Sequence, residues 1–417
     1  TDNPGKFKTN TTTAQPAYNL NNFGDNNAFA RAEFDGSPAN RLMKMYSPGQ
    51  SWVGDNVNVS GNREVYNAAT EQVRKWTIGF TEGEIPASSS FYLNGQLIKS
   101  WALDEKGKKV VSYSDITGNV VLKKTQLAED AQLTTQHQGW LCTYYVYDDF
   151  NQLRFTITPK AVKEAGENNW VLTQQVTDEL CFWYDYDDVG RARAKKTPGK
   201  GIEYIVYDRR NRPMFTQDAN ARLKGEWLAI LYDELNRPVI SGIYKSTQTQ
   251  AQLQYTGTNG VGSNITTVST TDGGSFKLNY TFFTSSDLNN AAVFVPLTFN
   301  YYDEYGFPGK KDFLVYQPFA FTSNAANSNI ESNYPTSRTT GMPTGGKTKV
   351  LNGSTTAQFL TSTVYYDEEG RAIQGHSDNI KGGDDITSSQ YHFDGRTLST
   401  LETHNNPGTA YTNFTTL

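Results

Sequence analysis

One short pattern recurs along this chain and limits its fold more than any other feature: Tyr-Asp, two variable residues, Gly or Asn, then often Arg and Pro. It runs Tyr147-Asp148-x-x-Asn151, Tyr186-Asp187-x-x-Gly190-Arg191, Tyr207-Asp208-x-x-Asn211-Arg212-Pro213 and Tyr232-Asp233-x-x-Asn236-Arg237-Pro238. It returns as Tyr302-Asp303-x-x-Gly306-Phe307-Pro308 and Tyr366-Asp367-x-x-Gly370-Arg371, and Phe393-Asp394-Gly395-Arg396 reads as a shortened form. Asp104-x-x-Gly107 and Asp115-x-x-Gly118 keep the Asp and Gly without the Tyr. A repeated unit of this size must be one supersecondary element used many times.

The residue types are those of a turn. An Asp that opens a turn accepts hydrogen bonds from backbone N–H groups further on. Gly or Asn three residues later suits the left-handed backbone that closes a three-residue hairpin loop with a bulge. Asp and Arg then flank the loop as an opposite-charge pair, and the Pro after Arg, having no N–H, belongs where no ladder bond is needed. The flanks read as strands: Tyr204-Ile205-Val206-Tyr207 and Leu228-Ala229-Ile230-Leu231-Tyr232 carry apolar residues on both faces. Tyr-to-Tyr spacings of 21 and 25 residues (186 to 207, 207 to 232) leave room for two strands each; gaps of 70 and 64 (232 to 302, 302 to 366) mark insertions.

Composition agrees. Tyr, Phe and Trp make 13% of 417 residues, Gly numbers 35 and Met only 4, a profile of strands and tight turns. The expected fold is therefore all-β: tandem hairpins in a curved or coiled β-sheet strip, with loop insertions. Short helical turns are expected at Lys160–Gly166 and Ala219–Gly225. Residues 1–60 read as a strand-and-loop region before the repeats, 61–250 as the hairpin region, 251–295 as a Gly/Ser/Thr-rich insertion with strands, and 296–417 as further repeats with a loop-rich insertion at 323–347. Thr256–Ser275 and Ser323–Lys347 are expected to be exposed excursions rather than core.

Thirty-eight basic residues against 43 acidic ones give a net charge of -5 with the signs interspersed, which argues against nucleic acid as a partner. Nothing reaches the roughly 18 apolar residues of a membrane-spanning helix. Thr1–Lys8 has neither a basic nor an apolar leader segment, and the chain reads as an internal or processed piece of something longer. His137, His376, His392 and His404 are scattered without zinc spacing, and no nucleophile elbow or phosphate loop occurs. Asp185, Asp187 and Asp188, and Asp384-Asp385, are better read as turn acids than as calcium ligands. No catalytic, metal or cofactor residue is expected. Cys142 and Cys181 each lie five residues before a Tyr-Asp, so they hold equivalent positions in two copies: a bridge if the copies stack, two buried thiols otherwise.

At these residues the chain resembles the RHS/YD-repeat family, in particular the long RHS proteins of Bacteroidota. The resemblance covers most of the chain. It is carried by Glu33-Phe34-Asp35-Gly36-Ser37-Pro38-Ala39-Asn40-Arg41, Ser47-Pro48-Gly49-Gln50-Ser51-Trp52, Gly139-Trp140-Leu141-Cys142 through Tyr147-Asp148, and Tyr207-Asp208 through Asn220. Thr363–Arg371 and Gln374–Asn379 are similar to the family as well. The resemblance implies a secreted or surface-exposed β-sheet shell of a Gram-negative bacterium that carries or encloses a C-terminal effector or toxin. It further implies export by the type IX system, with the rest of the longer chain, the outer-membrane translocon and its shuttle as partners. No core-terminating motif or effector is recognised up to Leu417. A surface adhesin that stacks Tyr and Trp on glycans or proteins is the alternative from the binding class.

Overall fold

The computed structural model describes residues 11–416 apart from 26, 28, 35, 39, 41, 53–58, 105, 128–133, 135, 260–264, 280–282, 316–333 and 354–356. Asp35, Ala39 and Arg41 of the first resemblance segment, and the 323–333 part of the second insertion, lie outside the described residues. Contacts divide the chain into two compact units, Thr1–Ile202 and Glu203–Leu417. That division falls inside the 61–250 region that the repeat pattern treats as continuous.

In the first unit an antiparallel sheet runs, strand beside strand, through β1 (Arg31–Phe34), β2 (Leu42–Tyr46), β3 (Val59–Tyr66), β6 (Ile98–Leu103), β7 (Lys109–Ser114), β8 (Val120–Gln126), β9 (Trp140–Tyr147), β10 (Leu153–Ile157), β11 (Cys181–Tyr186) and β12 (Ala192–Lys196). Between β3 and β6 the chain makes a separate hairpin, β4 (Arg74–Thr77) with β5 (Ala87–Phe91). Helix α1 (Thr11–Phe23) precedes the sheet; α2 (Pro159–Glu167) and α3 (Gln174–Leu180) lie between β10 and β11. β9 shows why strands form here: Cys142, Tyr144 and Val146 alternate inward and are buried. The β4–β5 hairpin lies over that face, with Trp76 edge-on to Tyr144 at 6.0 Å and the Arg74 N–H donating to the Tyr144 hydroxyl at 3.0 Å. α2 starts on Pro159, whose missing N–H costs nothing in a first turn, and buries Ala161, Val162 and Ala165.

In the second unit the sheet runs through β13 (Glu203–Tyr207), β14 (Pro213–Gln217), β15 (Glu226–Tyr232), β16 (Pro238–Lys245), β19 (Phe294–Tyr302), β20 (Pro343–Lys349), β21 (Phe359–Tyr366), β22 (Ala372–Asp378), β23 (Asp384–Tyr391), β24 (Thr397–Asn406) and β25 (Thr409–Thr416), again antiparallel throughout. α4 (Ala219–Lys224) follows β14; α5 (Gln250–Asn259), the hairpin of β17 (Thr266–Thr270) with β18 (Gly274–Leu278), and α6 (Ser285–Leu288) lie between β16 and β19. No helix among the described residues is long and apolar enough to cross a membrane.

The structure corrects the reading of both insertions as exposed excursions. Val268, Phe276 and Leu278 of β17–β18 are buried in the core with Leu253 of α5 and Leu288 of α6. Residues 343–347 belong to β20, which is paired on both sides, and Thr336, Thr339 and Thr344 are buried. A two-stranded cover needs only one apolar face, so alternate Thr, Ser and Gly hide a core element in a stretch that reads as polar. The helices at 160–166 and 219–225 are present as α2 and α4; the other helices carry no sequence signal strong enough to have been expected.

Candidate functional site

The repeat motif builds one local device, present in both units. Asp148, Asp187, Asp208, Asp233 and Asp367 each donate their own N–H to the carbonyl four residues on, and their carbonyls accept the N–H three residues on. One carboxylate oxygen accepts the N–H groups of the second and fourth following residues, at 2.8–3.1 Å in all five copies. Asn151, Gly190, Asn211, Asn236 and Gly370 hold the left-handed position, with φ between 61° and 82°. The same turn stands at Asp104–Gly107, at Asp115–Gly118 and, with Asn in place of Asp, at Asn379–Gly382.

The second carboxylate oxygen takes the arginine. Nε of Arg191, Arg212, Arg237 and Arg371 lies 2.6–2.7 Å from Oδ2 of its own Asp187, Asp208, Asp233 or Asp367. Where Gln152 replaces Arg, the buried Arg154 stands in, 3.7 Å from Asp148 and 3.1 Å from Asp185. Asp185 also binds Arg193, and Asp384 and Asp385 bind Lys311 and His404. Among the described residues no group of three or more His, Cys, Asp or Glu could hold a metal.

The tyrosine has a role that turn chemistry does not require. In six copies the hydroxyl donates to a carbonyl of the preceding hairpin, on the residue that follows the arginine position of that hairpin's turn. The pairs are Tyr147 to Val120, Tyr186 to Leu153, Tyr232 to Pro213, Tyr302 to Pro238, Tyr366 to Pro343 and Tyr391 to Ala372, at 2.7–3.3 Å. The preceding arginine lies against the same ring: Arg212 over Tyr232 at 4.5 Å, Arg237 over Tyr302 at 4.4 Å and Arg371 over Tyr391 at 5.1 Å. Burial raises the phenols of Tyr147, Tyr186, Tyr232, Tyr302 and Tyr366, which keeps each a neutral donor. Asp, Arg and the next Tyr thus form a spine joining one hairpin to the next. A signal for it exists in the sequence: a turn needs Asp and Gly, so the constant Tyr before them calls for a second explanation.

Two copies depart from the expected form. Asp303 and Gly306 do not make a turn together. Gly306 is not left-handed; instead the Asp303 N–H donates to the Met342 carbonyl at 3.0 Å and the Gly341 N–H reaches Asp303 Oδ1 at 2.6 Å, with Gly341 at φ 86°. Tyr302 pairs with Pro343 as Tyr232 pairs with Pro238. Residues 304–340 are therefore inserted where other copies have two variable residues, and Gly341 closes the turn. Met342 stands in the arginine position, so the Asp303 carboxylate is taken bidentately by Arg237 of the preceding copy, at 2.9 and 2.7 Å. That hydrogen bonding lowers the Asp303 pKa and raises that of Arg237. The second departure is Phe393-Asp394-Gly395-Arg396, which is not shortened. His392 occupies the Asp position, donating its N–H to the Arg396 carbonyl and accepting from the Gly395 N–H, both at 2.8 Å. Arg396 finds Asp394 instead, at 2.7 Å.

Cys142 and Cys181 are both buried and free. β10 stands between their strands: Ile157 pairs with Tyr144 on one side and with Cys181 on the other. Two strand spacings, about 9–10 Å, exceed the roughly 7 Å that a bridge spans, so the buried-thiol alternative describes them. Burial pushes the thiols up to about 11 and about 12, where neither is a nucleophile at neutral pH.

Comparison with known proteins adds little to this geometry. Residues 1–65 match the model of a domain family described as a domain of unknown function, DUF6443. No curated protein matches. Among solved structures, TcdB2-TccC3 without its hypervariable C-terminal region aligns with a TM-score of 0.37 and 12% identity, over 92% of this chain and 16% of that one. A Photorhabdus luminescens Tc holotoxin pore with a substitution in TccC3 aligns with a TM-score of 0.26 and 12% identity, over 89% of this chain and 22% of that one. TM-scores below 0.5 do not establish a shared fold, and this chain spans about a sixth of the length of the first of these.

Proposed function

We propose that this chain is a non-catalytic wall segment of a secreted or cell-surface RHS-repeat protein, in which tandem hairpins form a sheet that carries or encloses a C-terminal effector. The observation that supports it is the spine. The side-chain Asp, Arg and Tyr groups of the motif are engaged in closing a turn or in clamping the next hairpin, which is the work of a scaffold. Export by the type IX route and the effector itself rest on the resemblance of the repeat motif to that family. The test is to locate the native protein in its host: intact cells are treated with protease, and wild type is compared with a strain lacking the type IX translocon. The expected result is protease-sensitive surface or medium protein in wild type and its retention in the mutant. Protein confined to the cytosol of both strains overturns the reading, as does substrate-dependent turnover by the purified chain that an internal Asp→Asn change abolishes without unfolding it.

A further inference from the structure

One cavity in the first unit takes no part in the spine. It lies between α2 and the start of β9, holds about 890 Å³, and has apolar walls from Leu127, Trp140, Leu141, Val162 and Trp170. That size and lining are those of a small-molecule site. Leu127 and Leu141 stay exposed, so apolar surface is left open there. The charge in the wall belongs to α2. Lys160 and Lys163 line the cavity with side chains 72% and 76% exposed, and their ion pairs to Glu164 and Glu167 are long, at 3.9 and 4.0 Å. Pairs of that kind hold little energy, which leaves both ammonium groups available. Helical side chains lean toward the N-terminus, so Lys163 reaches back toward the first turn, which carries Lys160. That turn also lines the cavity, through Thr158 and Pro159. Thr158 does not cap it: its hydroxyl donates to the Leu180 carbonyl at 2.7 Å instead of accepting from the helix. The positive end of α2 therefore adds to the two lysines, while Glu167 stands at the opposite end of the helix. His137, also in the wall, is already bonded to the Tyr144 hydroxyl at 2.6 Å.

We propose that this cavity binds a fatty carboxylate, its apolar chain against Trp140 and Trp170 and its carboxylate at the first turn of α2, held by Lys160 and Lys163. A neutral amphiphile would leave the lysines unused. A cationic one would meet two like charges and the positive end of a helix. The site uses none of the Asp, Arg and Tyr groups of the spine, so it stands independently of the wall-segment reading.

The test titrates the full chain with decanoate, decanol and decyltrimethylammonium, each below its micelle concentration, by calorimetry at neutral pH. Tryptophan fluorescence, to which Trp140 and Trp170 contribute, is the second signal. Decanoate is expected to bind saturably, one per chain, and roughly tenfold more tightly than decanol, since two exposed ion pairs together supply about that factor. The quaternary ammonium should bind more weakly than either. Lys160→Gln combined with Lys163→Gln should remove the preference for decanoate and leave decanol binding unchanged. Gly166 lines the cavity, and a Cβ there would meet the Trp170 ring at an ordinary 3.8 Å, so Gly166→Leu fills the space and should weaken both ligands. Melting curves show that each variant folds, and the lysine pair, being exposed, keeps the test open if Gly166→Leu does not. Equal affinity for the three head groups overturns the proposal, as does the absence of saturable decanoate binding. So does a decanoate affinity that the lysine substitutions leave unchanged. A wild-type dimer that Gly166→Leu dissociates also overturns it, by assigning the cavity to a second copy.

Discussion

The two units solve one problem with different materials. Each covers a face of an antiparallel sheet with an inserted hairpin and short helices, but what lies beneath the covers differs. In the first unit the covered region holds charge. Glu71 accepts from Lys99 and, at 3.1 Å, from the Tyr113 hydroxyl; Lys124 lies 4.7 Å from the Trp140 ring and donates to the Gln136 carbonyl. His137 Nε2 meets the Tyr144 hydroxyl at 2.6 Å, and Arg74 lies between Phe91 and Trp170. In the second unit the cover presses on aromatic rings: Tyr301 stacks on Phe307 at 4.1 Å, and Phe276 lies against Phe299 and Tyr301. Glycines seat those rings, since a Cβ at Gly273 or Gly345 would fall inside Phe299 or Phe307. The lesson is that the spine on the turn side does not dictate the core. One repeat chemistry supports both a charged interior and a phenylalanine one.

The largest expected effects separate these interiors. Arg154→Met leaves Asp148 and Asp185 short of their buried partner and should cost about 3–5 kcal/mol. Phe299→Ala in the second unit should cost a similar ~3–5 kcal/mol by opening a cavity. Denaturant unfolding followed by two signals distinguishes them: the Arg154→Met penalty should appear in tryptophan fluorescence, and the Phe299→Ala penalty chiefly in circular dichroism. Six of the seven tryptophans (52, 76, 101, 140, 170 and 183) lie in the first unit and only Trp227 in the second, so fluorescence chiefly follows the first.

A second difference is acid sensitivity. Burial, aided by the charges of Lys124 and Arg74, pushes His137 down to about 4 from its ordinary 6.5. Below pH 6.5 the unfolded chain binds a proton that the folded one refuses, so stability falls as pH drops from 6.5 to about 4. The loss should be on the order of 2 kcal/mol after allowing for partial exposure, and His137→Gln should flatten it. In the second unit, Asp303 has its pKa lowered by Arg237, so its contribution is lost only as pH falls below the ordinary carboxylate range. Tryptophan fluorescence of wild type and His137→Gln between pH 7 and 4 measures the first slope; an equal slope in both proteins refutes the assignment.

The smaller effects should be alike in the two units, because the spine is. Gly190→Val in the first and Gly370→Val in the second force a β-branched residue to φ of 82° and 80° and should each cost roughly 1 kcal/mol or more. Unchanged melting curves for both would contradict the bulge geometry. Tyr186→Phe and Tyr232→Phe each remove one hydroxyl-to-carbonyl bond and should cost about 0.5–1.5 kcal/mol. A marked inequality between them would show that the joint is not equivalent in the two units.

Much of this was legible from residues alone. Asp and Gly or Asn at a fixed spacing specify a turn because the acid's reach and the left-handed backbone are local properties, set within five residues. The all-β class follows, since a chain of such turns joins only strands. The meaning of Tyr was not legible, because its partner lies in another hairpin and the distance between copies varies with each insertion. Nor was the pairing of Asp303 with Gly341: Gly306 stands at the right spacing, and only the ladder between β19 and β20 shows that the chain leaves the turn and returns after residue 340. His392 as the opening residue of a turn was hidden in the same way, because its backbone bonds identify it and its side chain does not. Tertiary structure also decided that β10 separates the two cysteines, and that one interior is charged and the other aromatic. Local chemistry sets how a turn closes; which strand lies beside which is settled only when the whole sheet and its covers exclude water together.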